Sequence, residues 1–476
     1  MTPAQWRRSL WLLGAASLLL RLLLLGQNGL WHDEVATFNT AILPLGQIPA
    51  VAANHSNSPP LYFWLLHFVM AGAGQSERAL RLLSAVAGAL TVPLLAMLVA
   101  ELSGSLVAGL VGGIFLAFNP LHLWFSQEAR AYALLTFCCA AALLALARAI
   151  RTGGAGNWAG FAVALLTGLF VNPVAGAILP VAWIWVLLSE RRRLLLGPLA
   201  VVSGLVCVTA LGIAHSIPGH EHPPEEHRGI PGVELGYTAY AYLAGYSFGP
   251  GTRDLQTMGA VNALRTWWAQ AGLVLVALVG WAVLILKYRP KFRWEFLALA
   301  LLPPLQILAA SMFSAFPFNV RYALPGLLGA MGLLAVAAAA APRRVFTGAL
   351  ILGVGLSLWS DLQWFTNSRY RKDDTRGALA WLAARLPAGS VVGAVPGYMN
   401  ETMEYYAART TPRLSIVRVA PDTGGVPVDS VAAMALTRFH LVPGWRQIES
   451  GLAAAQLIKD STTSISGYHL FLLKPH

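Results

Sequence analysis

The chain has 476 residues, of which 57% are hydrophobic and only 11% charged, against roughly 25% charged in soluble domains. A mean hydropathy of +0.60 excludes an ordinary soluble protein, a disordered chain and a collagen-like one. What remains is a polytopic membrane protein. The net charge of +12 does not indicate a nucleic-acid partner, because the basic residues fall in short clusters between apolar runs, as membrane topology requires. Cys138, Cys139 and Cys207 lie inside apolar runs and read as small buried hydrophobes rather than disulfide partners.

Along the chain, Arg7 and Arg8 precede an apolar stretch over 9–26. It is long for a cleaved signal and lacks a small-x-small exit, so it reads as a retained first span. Further apolar segments fall near 79–100, 106–119, 131–149, 157–171, 174–189, 194–213, 269–286, 295–313, 322–341 and 345–360, giving about eleven predicted helices. Asn172-Pro173 could instead kink one long segment over 157–189. The apolar stretch 61–73 is short and is expected to lie in the interface or re-enter. With the N-terminus in the cytoplasm, thirteen Lys and Arg fall in cytoplasmic turns and seven in the outer loops before residue 361. The first outer loop, 27–75, holds none. The positive-inside rule supports this orientation, and an odd span count then puts the C-terminus outside.

From Asp361 the composition changes. The last 116 residues carry 12 basic and 9 acidic side chains, about twice the charge density of the first 360. Short apolar strands are predicted at 390–395, 414–419, 438–442 and 468–473, with helices over 374–386 and 444–457. The expected organisation is an all-α polytopic membrane domain over 1–360 and a small extracytoplasmic α/β domain over 361–476.

Function has to come from polar groups that a membrane would otherwise exclude. Trp31-His32-Asp33-Glu34 follows the first span. It reads either as a solvated surface pair or as carboxylates able to take a proton from an acceptor. Asn54-His55-Ser56-Asn57-Ser58-Pro59-Pro60-Leu61-Tyr62 reads as a helix start. In Ser126-Gln127-Glu128-Ala129-Arg130-Ala131-Tyr132, Glu128 and Tyr132 share a helical face while Arg130 points elsewhere. The simplest account of that segment is a local Glu/Arg cap. Arg321, in Asn319-Val320-Arg321-Tyr322-Ala323-Leu324-Pro325, either snorkels or pairs with an anion. Its bidentate fork suits a lipid phosphate at that depth. A loop holding His215, His220, Glu221, His222, Glu225, Glu226 and His227 matches no standard zinc spacing. His220 and His222 are the first candidates there if a divalent metal binds. Tyr237, Tyr240, Tyr242 and Tyr246 follow and could stack on a sugar, line a cavity, or form an interfacial belt.

Together these segments resemble bacterial members of the dolichyl-phosphate-mannose protein mannosyltransferase and aminoarabinose transferase-like group, polytopic glycosyltransferases of the GT-C fold. Asp33-Glu34, Pro59-Pro60-Leu61-Tyr62, Glu77 with Ala79-Leu80-Arg81-Leu82, the run Ser126 to Leu134, Arg321 to Pro325, and Lys372-Asp373-Asp374 through Tyr405-Tyr406 carry the resemblance in order. It implies transfer of a monosaccharide from a polyprenyl-phosphate donor to a glycolipid, glycan or protein acceptor at the outer face of the cytoplasmic membrane. It further implies Asp33, with Glu34 beside it, as the catalytic base, and Arg130, Arg321 and Tyr322 at the donor phosphate. His55, Tyr62 and Glu128 would line or support the cavity. In some relatives an acid just before the Pro-Pro element helps to bind a metal; here Asn57 and Ser58 stand there, so a metal is not expected at that position, and a divalent metal elsewhere stays open. The alternative is a lipid-linked sugar flippase, which would place ionisable residues deep in several spans.

Overall fold

The computed structural model describes the chain apart from residues 218–230, 314–317, 396–399, 419–430, 438–457, 466–467 and 474–476. It is a multi-pass, mostly helical membrane protein with a small sheet near the C-terminus. Two compact units are present. The first comprises 1–25, 40–250 and 262–365; the second comprises 26–39, 251–261 and 366–476.

In the first unit, seven helices are long and apolar enough to cross a membrane: Glu77–Ser103, Tyr132–Thr152, Arg192–Ser216, Trp268–Tyr288, Arg293–Phe313, Val320–Ala339 and Arg343–Thr366. Four of the eleven expected spans fall short of that standard, each for a physical reason. The first helix, Pro3–Leu22, carries Arg7, Arg8 and Arg21. Leu106–Ala117 breaks before Pro120 and continues as Pro120–Ser126 at an angle of 59°, so this pair makes an eighth span only if it is counted as one. Ala155–Val171 and Pro173–Leu188 are apolar but short. They are separate helices because the Asn172 backbone is extended (φ −162°) and its side chain accepts from the Val174 amide. Serine caps start two of these helices, Glu77–Ser103 and Leu106–Ala117. Ser76 accepts from the Ala79 amide and Ser105 from the Ala108 amide.

Arg21 is fully buried in the apolar bundle, a position tolerable only when its donors are all engaged. Its guanidinium donates to Ser17 Oγ at 2.5 Å, to Ser126 Oγ at 3.2 Å and to the Ala117 carbonyl at 3.2 Å, and it meets His122 Nδ1 at 2.7 Å. Arg21 is not the only charged residue deep in a helix. Asp361, expected at the head of the tail, lies buried within Arg343–Thr366 and interacts electrostatically with Arg21.

The second unit is built on a five-stranded mixed sheet in the order β2-β1-β3-β5-β4. The strands are β1 (Val391–Val395), β2 (Ser415–Arg418), β3 (Ala433–Thr437), β4 (Ile458–Ile465) and β5 (Tyr468–Leu473). β1 pairs in parallel with β2 and β3, in register at Val392↔Ile416 and Val392↔Ala433. β5 runs antiparallel to β3 and β4. Three of the four expected strands appear at their expected places. The strand expected over 438–442 and the helix expected over 444–457 fall outside the described residues, and a further strand forms at Ala433–Thr437. β4 and the helix Asn400–Ala407 had no counterpart in the sequence reading. The expected helix forms at Thr375–Ala383, where Asp374 caps it by accepting from the Gly377 amide at 2.9 Å.

Candidate active site

The segment from Ser126 to Tyr132 is a turn between Pro120–Ser126 and Tyr132–Thr152. Glu128 and Tyr132 therefore do not share a helical face, and Arg130 does not point away. Its guanidinium lies 5.8 Å from the centre of the Tyr132 ring. Arg321 approaches the same ring at 5.6 Å and the Tyr322 ring at 5.1 Å. Two guanidiniums on one aromatic ring are drawn there by its quadrupole but repel one another, so the arrangement favours an anion between them. Arg321 sits on a short 3₁₀ turn, Val320–Ala323, capped by Asn319, whose side chain accepts from the Arg321 amide at 3.1 Å. The helix Leu324–Ala339 begins at the end of that turn, and its N-terminal dipole adds to the local positive potential. Arg321 Nη2 also donates to the Tyr322 hydroxyl at 3.4 Å.

The turn is fastened from several sides. Tyr62 Oη donates to Ser84 Oγ at 3.0 Å, and Ser84 Oγ donates to the Arg130 carbonyl at 3.0 Å. The Trp124 indole donates to Glu128 Oε1 at 2.9 Å. Trp124 packs on Trp364 with ring centres 4.2 Å apart, and the Trp364 indole donates to Gln127 Oε1 at 2.8 Å. The Gln127 amide in turn donates to the carbonyls of Arg21 and Leu23 at 3.0 and 2.8 Å, at the end of the first helix. An aromatic wall runs from Tyr240 through Tyr237 and Tyr246 to Trp124 and Phe125, then to Tyr132 and Tyr322. Burial pushes the Tyr246 phenol above its ordinary value of 10.0; nearby Glu128 adds to that and Arg321 opposes it. Tyr246 is thus held neutral.

The structure therefore brings five expected residues into the first unit's site: Tyr62, Glu128, Arg130, Arg321 and Tyr322. It adds Ser84, Trp124 and Trp364, which carried no functional signal in the sequence, and Gln127 and Tyr132, which lay in the run from Ser126 without an assigned role. Tyr132, four residues past Glu128, was the nearest hint.

Asp33 and Glu34 belong to the second unit, in the first turn of the helix His32–Ala41, where the dipole favours carboxylates. Their environments differ. Glu34 is fully buried and turns back to accept from the Trp31 amide at 3.4 Å. Asp33 is half-buried, and its carbonyl accepts from the Thr37 hydroxyl at 2.8 Å. His55 lies on the helix Ile48–Ser56, with its side chain outside the described residues, as are His220 and His222. Among the described residues no group of three His, Cys, Asp or Glu side chains is placed to hold a metal ion.

Residues 57–216 match the family model of the dolichyl-phosphate-mannose-protein mannosyltransferases. That stretch contains Tyr62, Glu128 and Arg130; Asp33 and Arg321 lie outside it. The chain is similar to the oligosaccharyltransferase AglB of Archaeoglobus fulgidus in complex with an inhibitory peptide and a dolichol-phosphate. The TM-score is 0.55 at 11% identity, over 99% of this chain and 74% of that one. The Archaeoglobus fulgidus oligosaccharyltransferase complexed with Zn and sulfate matches with a TM-score of 0.52 at 13% identity, over 98% and 73%. ArnT from Cupriavidus metallidurans bound to undecaprenyl phosphate matches with a TM-score of 0.48 at 15% identity, over 99% and 98%. A sequence comparison with curated proteins finds no match. The fold is that of the GT-C membrane glycosyltransferases.

Proposed function

We propose that the protein is a glycosyltransferase that moves a monosaccharide from a polyprenyl-phosphate donor to a glycolipid, glycan or protein acceptor. The observation that carries this reading is the convergence of Arg130 and Arg321 on the Tyr132 ring, which suits a lipid phosphate beside an aromatic wall. The GT-C fold, the mannosyltransferase-family match and the dolichol-phosphate held by AglB support the donor class. The excess of Lys and Arg in alternate turns supports placing the chemistry at the outer face of the cytoplasmic membrane, with the N-terminus inside.

In this scheme Asp33 takes the proton of an acceptor hydroxyl or amine. The acceptor heteroatom bonds to the anomeric carbon as the bond from that carbon to the phosphate oxygen breaks on the opposite face. Polyprenyl phosphate leaves with the electron pair. Arg130 and Arg321 stabilise the charge that develops on it, with the Tyr322 hydroxyl held beside Arg321. One displacement of this kind inverts the anomeric centre. Glu34 is the weaker candidate base because its carboxylate is buried and already accepts from the chain.

The test is sugar transfer by the purified protein from a panel of polyprenyl-phosphate monosaccharides, with donor hydrolysis followed in parallel. Wild type should turn over, with loss in Asp33→Asn and Arg321→Ala. A product that keeps the donor's anomeric configuration overturns single displacement. Binding of donor without turnover, across a broad acceptor panel, overturns the transferase reading in favour of a flippase.

A further inference from the structure

The turn that carries Asp33 and Glu34 is held by the far end of the chain. Ahead of the acids, the Gln27 carbonyl accepts from Arg376 Nη2 at 2.8 Å, and the Leu30 amide donates to the Tyr406 hydroxyl at 2.6 Å. Lys372 Nζ lies 5.1 Å from the centre of the Trp31 ring. Beyond the acids, Phe38 meets Tyr405 edge to face at 5.0 Å. The Arg409 guanidinium covers both rings, at 5.5 Å from Phe38 and 3.7 Å from Tyr405. Asn39 Nδ2 donates to Glu401 Oε2 at 3.2 Å. Gly29 allows the close approach: a Cβ there would stand 3.3 Å from the Tyr406 hydroxyl and 3.7 Å from Arg376 Cβ.

These contacts bracket the acids on both sides. Before them, backbone hydrogen bonds fix the path of the chain; after them, aromatic and cationic packing fixes the helix. The partners come from two short helices, Thr375–Ala383 and Asn400–Ala407, and the segments beside them. The second of these helices packs on β1 and β2, and the first on β5. The sheet is therefore the base from which the acidic turn is held. A carboxylate that must meet an acceptor proton within hydrogen-bond reach gains from such fixing, because small displacements of a reacting group cost large factors in rate.

We propose that Tyr406, Arg376 and Arg409 form a positioning clamp through which the sheet-bearing unit sets the orientation of Asp33. The clamp rests on the reading of Asp33 as the base. Its members are positioning residues, since none of them has to touch substrate.

Two readouts test it in full-length protein in lipid nanodiscs. The first is hydrogen exchange over 26–39 and needs no substrate. Tyr406→Phe keeps the ring and removes the hydroxyl, and exchange at Leu30 should rise about five-fold, the scale of one lost hydrogen bond. Arg376→Gln, a milder surface change, should speed exchange near Gln27 and covers the case in which the first variant folds poorly. The second readout is kinetic. In Tyr406→Phe, kcat should fall about ten-fold with the donor KM unchanged, and the acid limb of the pH profile should move, which a purely structural loss would not do. Unchanged exchange over 26–39 in both variants overturns the clamp. So does unchanged kcat in Tyr406→Phe where Asp33→Asn is inactive. A wild type inactive with every donor defeats the transferase reading instead, and the exchange readout still decides the clamp.

Discussion

The Ser126–Tyr132 turn and the Gly26–Asn39 segment both carry polar groups that the proposed mechanism uses, but they are held in different ways. The turn lies among membrane helices, where an unpaired polar group is expensive. Gln127 accordingly spends both its donors and its acceptor, on Arg21, Leu23 and Trp364. The acidic segment depends on one aromatic and cationic face of another element, with Tyr406 and Arg409 at its centre. Burial among the helices enforces a closed hydrogen-bond network; the acidic segment is fixed instead by single hydrogen bonds and ring contacts to two short helices of its own unit. The first arrangement should fail by unfolding when it is broken, the second by losing activity while the fold survives.

The sharpest break between the two comes from substituting each one's charged centre. Asp33→Asn should lower turnover about a thousand-fold, within the range for a lost general base, while thermal unfolding stays as in wild type. Arg130→Ala and Arg321→Ala should each cost about a hundred-fold in kcat/KM. Because both face one ring, their double variant should cost less than the product of the two, measurable in the same transfer assay. Arg21→Met should act oppositely to Asp33→Asn. It removes the buried hydrogen bonds to Ser17, Ser126 and the Ala117 carbonyl, a loss on the order of 1–3 kcal/mol, seen as a lower unfolding temperature and reduced folded yield. Trp124→Phe removes the indole donor to Glu128 and trims the packing on Trp364 and Tyr246, so a loss of about 1–3 kcal/mol is expected, read as a lower unfolding temperature. The smallest effect concerns pH. Tyr246 has a raised folded-state pKa, so the stability contributed by its neutral phenol is complete below pH 10.0, its ordinary value, and is lost as pH climbs through the raised value. Tyr246→Phe should flatten the alkaline decline in stability above that point.

Much of this was readable in advance, and the parts that were not share a cause. Hydropathy located the spans because apolar length is a local property. Asp33, Arg130 and Arg321 stood out because charge beside lipid is costly wherever it occurs. Arg130 was misread because helical geometry was extended through residues that form a turn. The long-range partners gave no signal. Nothing near Gln127 points to Trp364, and nothing near Leu30 points to Tyr406, since hydrogen bonds between distant segments leave no period in the sequence. The strand at Ala433–Thr437, which had no counterpart among the expected elements, shows a related limit. Alanine-rich strands such as Ala433-Met434-Ala435 carry weak β-propensity and gain their place from pairing with β1 and β5.

The hydrogen bond between Leu30 and Tyr406 joins residues 376 positions apart. During synthesis at about 5–20 residues per second, the acidic turn would therefore emerge roughly 20 to 75 seconds before its partner exists. Throughout that interval the nascent chain carries its acid pair unheld. In the proposed scheme, a chain that stalls before Tyr406 would carry the acidic turn without the hydrogen bond that helps to position it.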